Sequence, residues 1–183
     1  MKTLYLQNNA FQTAKTYLAQ ALINLMEKTS IGDISITDIT KKAGVSRMSY
    51  YRYFGKKEEI LESYLDTIIE DYIREVDSGK AAGQFSDYDH ILKSFQFFKQ
   101  YKDFALCLDR ANMSNLLLNR LNGYFSSYVA KPTSDFKEKT QLYFYAGALF
   151  NTFMQWLEND TKEDEETLAV QVYQMTKKMF PSA

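Results

Sequence analysis

The sequence predicts an all-α protein of about nine helices, with an N-terminal helix-turn-helix head of three helices followed by a C-terminal helical bundle. The 183 residues include only 7 glycines and 2 prolines, so few positions interrupt long helices. Apolar residues recur every three or four positions, and no stretch alternates apolar and polar residues as a half-buried strand does. We expect the head to occupy residues 1–57 and the bundle residues 58–183.

The first helix is predicted over residues 10–28, where apolar side chains keep a regular spacing of three to four. The polar residues 1–9 are expected to be frayed, as chain ends commonly are. Residues 29–35 form a turn around Gly32 that leads into the second helix.

Two short helices then meet at Gly44. Thr37 is expected to cap the first of them, because a threonine oxygen accepts a hydrogen bond from the free amides of a helix N-terminus. Gly44 ends that helix, since glycine adopts a positive φ without a Cβ clash. Ser46 caps the second helix, and three residues are spaced to face inward: Val45, Tyr50 and Phe54. This is the pattern of a helix-turn-helix with its recognition helix second.

The outer face of that recognition helix carries two cations, two tyrosines, a methionine and a serine: Arg47, Met48, Ser49, Tyr51, Arg52 and Tyr53. Arginine binds guanine edges and phosphates, and hydroxyl groups bind phosphates. Arg47 and Met48 lie at the N-terminal end of the helix, where a major-groove reader meets base edges. The face therefore predicts double-stranded DNA as a partner.

The same region resembles a known family over about residues 10–65. Three motifs are similar to the DNA-binding region of TetR/AcrR-type transcriptional regulators: Ala43-Gly44-Val45-Ser46, Tyr50-Tyr51-Arg52-Tyr53-Phe54 and Lys56-Lys57-Glu58-Glu59-Ile60-Leu61. The resemblance implies phosphate contacts at Thr37, Tyr51, Arg52, Tyr53 and Lys57. Two positions depart from the usual pattern: Met48 stands where a small residue is common, and Ile31-Gly32-Asp33 replaces a glycine-aromatic pair.

Charge is distributed unevenly between the two predicted domains. Residues 1–57 hold nine lysines and arginines against three acids, whereas the remaining residues hold 13 basic and 20 acidic side chains. The net charge of −1 thus conceals a basic head on an acidic body. That asymmetry is typical of a polyanion-binding domain joined to a separate regulatory domain.

A fourth helix is predicted to run from the head to about Val76, followed by a loop at residues 78–83. Five further helices are predicted at about 87–100, 104–111, 114–130, 136–158 and 163–180. The last two are apolar on more than one side, so they are either central in their own subunit or also buried against a second one. The resemblance implies both, with the last two helices pairing with those of a symmetry mate in a homodimer. The candidate interface residues are Ala146, Gly147, Phe150, Phe153, Met154, Val172, Met175 and Met179.

The predicted bundle is rich in aromatic residues, which are more often core than pocket lining. The resemblance nevertheless implies a cavity for a small apolar effector between the middle helices. The candidate pocket residues are Phe95, Phe98, Tyr101, Phe104, Phe125, Tyr143 and Phe150.

No pattern in the sequence points to an enzyme, a cofactor or a metal site. His90 is the single histidine and Cys107 the single cysteine, which nearly excludes a His/Cys metal site. We expect Cys107 to be a buried inert thiol and His90 to be a partly exposed helix residue; the alternative for His90 is a polar contact in a ligand pocket. The acidic run at 160–166 is expected to be a solvated loop that favours the next helix N-terminus. No apolar run is long enough to span a membrane and the start lacks a secretion pattern, so a cytoplasmic protein is expected.

The function expected from the sequence is a homodimeric DNA-binding transcriptional regulator, in the form of a repressor that a small molecule releases from a palindromic operator. The alternative is a regulator-like dimer that acts through a protein partner, as a co-activator or cell-division factor does. The outward Arg47, Tyr51 and Arg52 favour DNA contact in either case.

Overall fold

The computed structural model describes residues 2–75 and 85–180, with side chains from Thr13 onward. Within these residues the chain forms nine α-helices and no strand, which confirms the all-α class. The helices are α1 (Lys2–Met26), α2 (Ile36–Ala43), α3 (Arg47–Tyr53), α4 (Glu58–Glu75), α5 (Tyr88–Lys99), α6 (Lys102–Arg110), α7 (Asn115–Tyr124), α8 (Phe136–Glu158) and α9 (Glu165–Thr176). The predicted loop at 78–83 and the predicted helix end at Val76 lie outside the described residues. No helix in the described part is long and apolar enough to cross a bilayer.

Two helix boundaries differ from the sequence prediction by more than four residues. α1 begins at Lys2, so the expectation of frayed residues before position 10 is wrong. Once a helix is nucleated, each added residue gains a hydrogen bond, and a polar start therefore extends readily. α7 ends at Tyr124, where a π-helical turn at Phe125–Val129 replaces the rest of the single helix predicted to residue 130.

The chain divides into two compact units, Met1–Thr67 and Ile68–Ala183, which we call the head and the body. The division falls within α4, so this helix belongs to both units. The boundary predicted after residue 57 lies at the start of the same helix.

The head is held together by apolar side chains that all four of its helices contribute. The fully buried ones are Leu18 and Leu22 from α1, Ile39 from α2, Tyr50 from α3, and Ile60 and Leu61 from α4. Each helix thereby loses one face to the core, as the spacing of its apolar residues predicts. The opposite face of α3 is left to solvent.

The core of the body is formed by α5, α6, α8 and α9. It comprises Ile91, Phe95, Ala105, Met154, Trp156, Leu157, Leu168, Ala169 and Val172. The polar edge of the indole is also satisfied, because Trp156 Nε1–H donates to the Glu163 carbonyl at 2.9 Å. α9 is capped by Asp164, whose carboxylate accepts from the Thr167 amide at 2.7 Å, as the predicted role of the acidic run requires.

Three residues predicted to lie in a subunit interface lie instead in this unit's own interior. Ala146, Met154 and Val172 are only 0%, 6% and 3% exposed in the single chain. Their assignment to a partner-facing surface is wrong, because an apolar stripe wider than one contact does not show which of its edges faces inward.

Candidate nucleic-acid interface and ligand site

The turn into α2 is fixed by a capping box that begins one residue before the helix. The Ser35 hydroxyl accepts from the Asp38 amide at 3.1 Å, while the Ser35 amide donates to the Asp38 carboxylate at 3.2 Å. The hydrogen bond from the Ser35 side chain holds the pKa of the Asp38 carboxyl below its ordinary value of 3.8. The prediction that Thr37 caps this helix is wrong; Thr37 lies in the first turn, exposed to solvent.

The turn between α2 and α3 has the geometry that the sequence predicts. Gly44 adopts a φ of 66°, in the left-handed region that favours glycine, and its amide closes the end of α2. Ser46 then caps α3 by accepting from the Ser49 amide at 3.0 Å. Tyr50 and Phe54 are buried as predicted, and Val45 is half-buried. The end of α2 and the start of α3 are therefore where the local sequence signals place them.

The outer face of α3 presents its long side chains to solvent. Arg47, Met48, Tyr51 and Arg52 are exposed, with Met48 at 76% and Tyr51 at 54%. Ser49 is half-buried and its hydroxyl lies 2.9 Å from that of Ser46, so the serine belongs to the cap as much as to the face. Tyr53 is half-buried at the C-terminal end of the helix.

One pair on this face is pre-arranged. The Arg47 guanidinium lies over the Tyr51 ring, with Cζ 6.0 Å from the ring centroid. A guanidinium over an aromatic face gains a weak electrostatic attraction and loses some rotamer freedom before any ligand arrives. Tyr51 in turn meets the buried Tyr50 edge-on, with centroids 5.1 Å apart. The core of the head thus supports the side chain that is best placed to reach a base edge.

Lys57, for which the resemblance implies a phosphate contact, makes hydrogen bonds within the head. Its ammonium group donates to the carbonyls of Ile31, Gly32 and Ile34, at 2.5, 3.2 and 2.7 Å. The lysine is half-buried, whereas the adjacent Lys56 is exposed. Sequence reasoning did not name Lys41 and Lys42, which are exposed in the last turn of α2. Their positive charge makes them candidates for the same surface, since the first helix of a helix-turn-helix crosses the DNA backbone.

The predicted pocket residues fall into two groups in the body. Phe95 and Phe98 meet Phe153 from α8, with ring centroids 6.4 and 6.3 Å apart. Phe125 instead belongs to a second group and contacts Tyr145, with ring centroids 5.5 Å apart. Tyr72 joins the two groups, because it stacks on Phe98 at 4.8 Å and meets Tyr124 at 5.5 Å, and Tyr124 meets Phe125 at 5.3 Å. We call these rings the aromatic cluster: Tyr72, Phe95, Phe98, Tyr124, Phe125, Tyr145 and Phe153.

Four predicted pocket residues remain. Phe104 is buried, and Tyr101 and Phe150 are half-buried. Tyr143 is 54% exposed in the single chain, so its assignment to an internal pocket is wrong. It lies on the side of α8 that turns away from the core, beside Phe144, which is 66% exposed.

The aromatic cluster contains a polar centre at His90, and sequence reasoning did not identify its partners Tyr72 and Ser94. The Tyr72 hydroxyl lies 2.8 Å from His90 Nε2 and 2.8 Å from the Ser94 hydroxyl, which donates to the His90 carbonyl at 2.7 Å. His90 is 7% exposed, so the expectation of a partly exposed histidine is wrong. Because Ser94 uses its proton on a carbonyl, a consistent chain of donors runs from His90 Nε2–H to Tyr72 and on to Ser94. Cys107 is buried, as predicted.

The remaining candidate interface residues divide between the inside and the outside of the body. Phe153 packs against the core, and Phe150 and Met179 are half-buried. Met175 is 67% exposed, and a Cβ built on Gly147 meets no atom within 4 Å. Phe144 and the 40% exposed Val170 join this outer set, although sequence reasoning did not name them as interface residues. Among the described residues, no group of three His, Cys, Asp or Glu side chains is arranged to hold a metal ion.

Two family models match this chain. The model described as bacterial regulatory proteins, tetR family, matches residues 18–64, and a TetR-type model described as transcriptional regulator C-terminal region matches residues 86–178. The first match contains α2, α3 and the exposed face, and the second contains α5 to α9.

Among curated proteins, the chain is similar to the HTH-type transcriptional regulator EthR. The Mycobacterium tuberculosis protein is 44% identical over 46 residues, which are 25% of this chain and 21% of that protein. The Mycolicibacterium smegmatis protein is 40% identical over 55 residues, which are 30% of this chain and 24% of that protein. The match thus spans about a fifth to a quarter of the length of these relatives.

The fold is shared with solved structures over nearly the whole chain. A TetR transcriptional regulator from Streptococcus agalactiae superposes with a TM-score of 0.59 at 18% identity, covering 94% of this chain and 98% of that one. The dihydroxyacetone kinase operon activator DhaS superposes with a TM-score of 0.61 at 18% identity, covering 92% and 98%. The fatty acid degradation regulator FadR from Bacillus halodurans gives 0.58 at 17%, covering 88% and 93%. At such identities the likeness shows the fold alone.

Proposed function

The chain belongs to the TetR family of bacterial transcriptional regulators and binds DNA through its helix-turn-helix, and we propose that it is a cytoplasmic homodimeric repressor that a small apolar molecule releases from a palindromic operator. Two symmetric heads then read half-sites one duplex turn apart, roughly 34–36 Å, or a multiple of it. The observation that carries the proposal is the exposed outer face of α3, which presents Arg47, Tyr51 and Arg52 to solvent. The helix that carries this face is capped by Ser46, and its inner side is buried.

Each residue of the interface has a proposed role. Arg47 and Met48 meet base edges, since they lie in the first turn of α3. Tyr51, Arg52 and Tyr53 contact phosphates further along the helix, and the exposed Thr37 does so from α2. The excess of basic over acidic side chains in residues 1–57 adds a sequence-independent attraction to the duplex that falls steeply with salt.

We propose that the effector binds within the aromatic cluster of the body, around Phe98, Phe125 and Tyr72. Ring faces and edges supply most of the contact area, as in most small-molecule sites. The donor chain through Tyr72, His90 and Ser94 supplies the polar position that fixes the orientation of the ligand. Because Tyr72 lies on α4, a ligand that alters its contacts acts on the helix that begins in the head. Release from DNA follows if the ligand prefers the form of the dimer that binds the operator less well.

We propose that the dimer forms through the outer sides of α8 and α9. The exposed Phe144, Val170 and Met175 supply apolar area, and Gly147 allows close approach of a partner helix. Exposed apolar patches of this kind commonly mark a protein interface.

A second candidate is a regulator that acts through a protein partner. Phe136, at the start of α8, is 87% exposed, and Tyr128 is 63% exposed on the π-helical turn. Neither is needed for the proposed dimer face, so both are available to a co-activator or another protein. A structural neighbour is named an operon activator, and at 18% identity the shared fold is compatible with repression and with activation.

Selection of bound duplexes from a random pool tests the proposed operator. We expect an inverted repeat whose half-sites are separated by one turn or a multiple of it. Thermal-shift screening of apolar metabolites and antibiotics then tests the effector, since a ligand at a hundredfold excess over its Kd adds about 2.7 kcal/mol to the native state. A stabilising compound that leaves operator affinity unchanged argues against release and favours the protein-partner candidate.

A further inference from the structure

The ammonium group of Lys57 is fully used within the head. A lysine has three donor protons, and Lys57 Nζ lies within 3.2 Å of three carbonyl oxygens, those of Ile31, Gly32 and Ile34. These carbonyls lie more than 20 residues before it in the chain, in and just after the 3-10 turn at Ile31–Asp33. Hydrogen bonds from a charged donor are about twice as strong as neutral ones.

The three carbonyls belong to a segment with little other support. The turn is closed by two backbone hydrogen bonds, from Asp33 to Ser30 at 2.9 Å and from Ile34 to Ile31 at 3.4 Å. None of its three residues is buried. Ile34 itself is buried and immediately precedes Ser35, the cap of α2. The position of the α2 N-terminus therefore depends on the buried Ile34 and on what holds this turn.

We propose that Lys57 is a positioning residue for DNA binding, one that ties the turn before α2 to the start of α4 and makes no phosphate contact. A phosphate contact would require the ammonium group to leave its three acceptors, and taking a charged donor away from the part-buried contacts at Ile31 and Ile34 costs free energy. By holding the start of α2, Lys57 fixes the helix that supports α3 in the groove. The inference deepens the proposed operator binding and rests on it for the affinity measurement alone.

The chain offers a matched control, because Lys56 is adjacent, equally charged and exposed. Lys57→Met and Lys56→Met remove the same charge from neighbouring positions. We expect Lys57→Met to lower the Tm by several degrees and to weaken operator binding about tenfold, without changing the slope of log Kd against log salt. Lys56→Met should leave the Tm unchanged, and any effect on binding should appear as a change of that slope.

Amide hydrogen exchange shows which segment is loosened when the lysine is replaced. It can be measured on a milder variant if Lys57→Met folds poorly. In Lys57→Gln, which keeps two N–H donors without the charge, the Asp33 and Ile34 amides should exchange faster while those in the middle of α1 are unchanged. A salt slope reduced by about 0.9, with Tm and turn exchange as in the parent protein, would assign Lys57 to a phosphate and overturn the proposal.

If the parent protein selects no duplex, the operator proposal fails by itself. The Tm and exchange measurements still test whether Lys57 holds the turn before α2, since they need no DNA. Unchanged Tm and exchange in both Lys57 variants overturn it.

Discussion

The head and the body of this protein use their aromatic side chains in opposite ways. In the head, α3 buries Tyr50 and exposes Tyr51 one residue later, so the functional face and the core are separated along a single helix. In the body, Tyr72 is buried, contacts other rings and forms hydrogen bonds at the same time. Its partners lie on α5 and α7. A site built on the surface of one helix can change without loss of the fold, whereas a site built inside a cluster shares its residues with stability.

The largest expected effect comes from placing a charge on either side of α8. Ala146→Glu puts a carboxylate at a position with no exposed surface, and an uncompensated buried charge costs about 3–5 kcal/mol. We expect the body to unfold, which a thermal melt by circular dichroism would show. Gly147→Glu points into open space within the subunit, so it should fold and sediment as a monomer. A Gly147→Glu protein that remains a dimer would contradict the proposed dimer face.

The next effect separates buried from outward aromatic residues of the body. Phe95→Ala removes a ring from the core cluster and should lower the free energy of unfolding by about 3–5 kcal/mol. Tyr143→Ala removes an exposed ring and should change it by no more than about 0.5 kcal/mol in the monomeric Gly147→Glu background. Urea denaturation measures both. Equal losses would mean that Tyr143 packs inside the subunit after all.

In the head, function and stability should separate. Arg47→Ala should cost about 1–3 kcal/mol of operator binding and relax the preference at one base position per half-site. Because Arg47 is exposed, its removal should leave the Tm unchanged. Arg52→Ala is the control for a phosphate contact, with uniform weakening on all duplexes and a salt slope smaller by about 1. Binding selections on both variants, at several salt concentrations, distinguish the two roles.

The smallest effect concerns the cap of α2. Ser35→Ala should destabilise the head by about 1 kcal/mol, whereas Thr37→Ala, at the position first expected to cap, should not. The carboxyl of Asp38 has a folded pKa below its ordinary value of 3.8, so the carboxylate stabilises the folded head above pH 3.8. This stabilisation is lost as the pH falls through the folded pKa. The acid limb of the head's stability should therefore be shallower in Asp38→Asn. Acid titration followed by circular dichroism checks the sign.

The head was largely predictable because its signals lie a few residues apart. Gly44 and Ser46 each act on their own helix end, and both were placed correctly. The choice of Thr37 over Ser35 was avoidable, since Ser35 has an acidic residue three positions later and so completes a capping box. Lys57 was not predictable, because its acceptors lie 23 to 26 residues away and no periodic pattern links them.

In the body, the spacing of apolar residues predicted the helices but did not show which side of each helix is buried. α8 has apolar residues around much of its circumference, so Ala146 and Gly147 were assigned to the same face although one is buried and the other opens outward. His90 is buried with its Nε2 2.8 Å from the hydroxyl of Tyr72, which lies on another helix. Such contacts between distant helices follow from packing, and one sequence alone does not specify them.

The position of the single tryptophan gives the two units separate optical signatures. Trp156 is 3% exposed in the core of the body, close to Phe95 and Phe153, and the head contains tyrosines but no tryptophan. Indole emission therefore follows the body alone, and its red shift on exposure to water marks the melting of that unit. Circular dichroism follows both units together. Recording the two signals in one experiment would show whether the head and the body unfold as one cooperative block or in sequence.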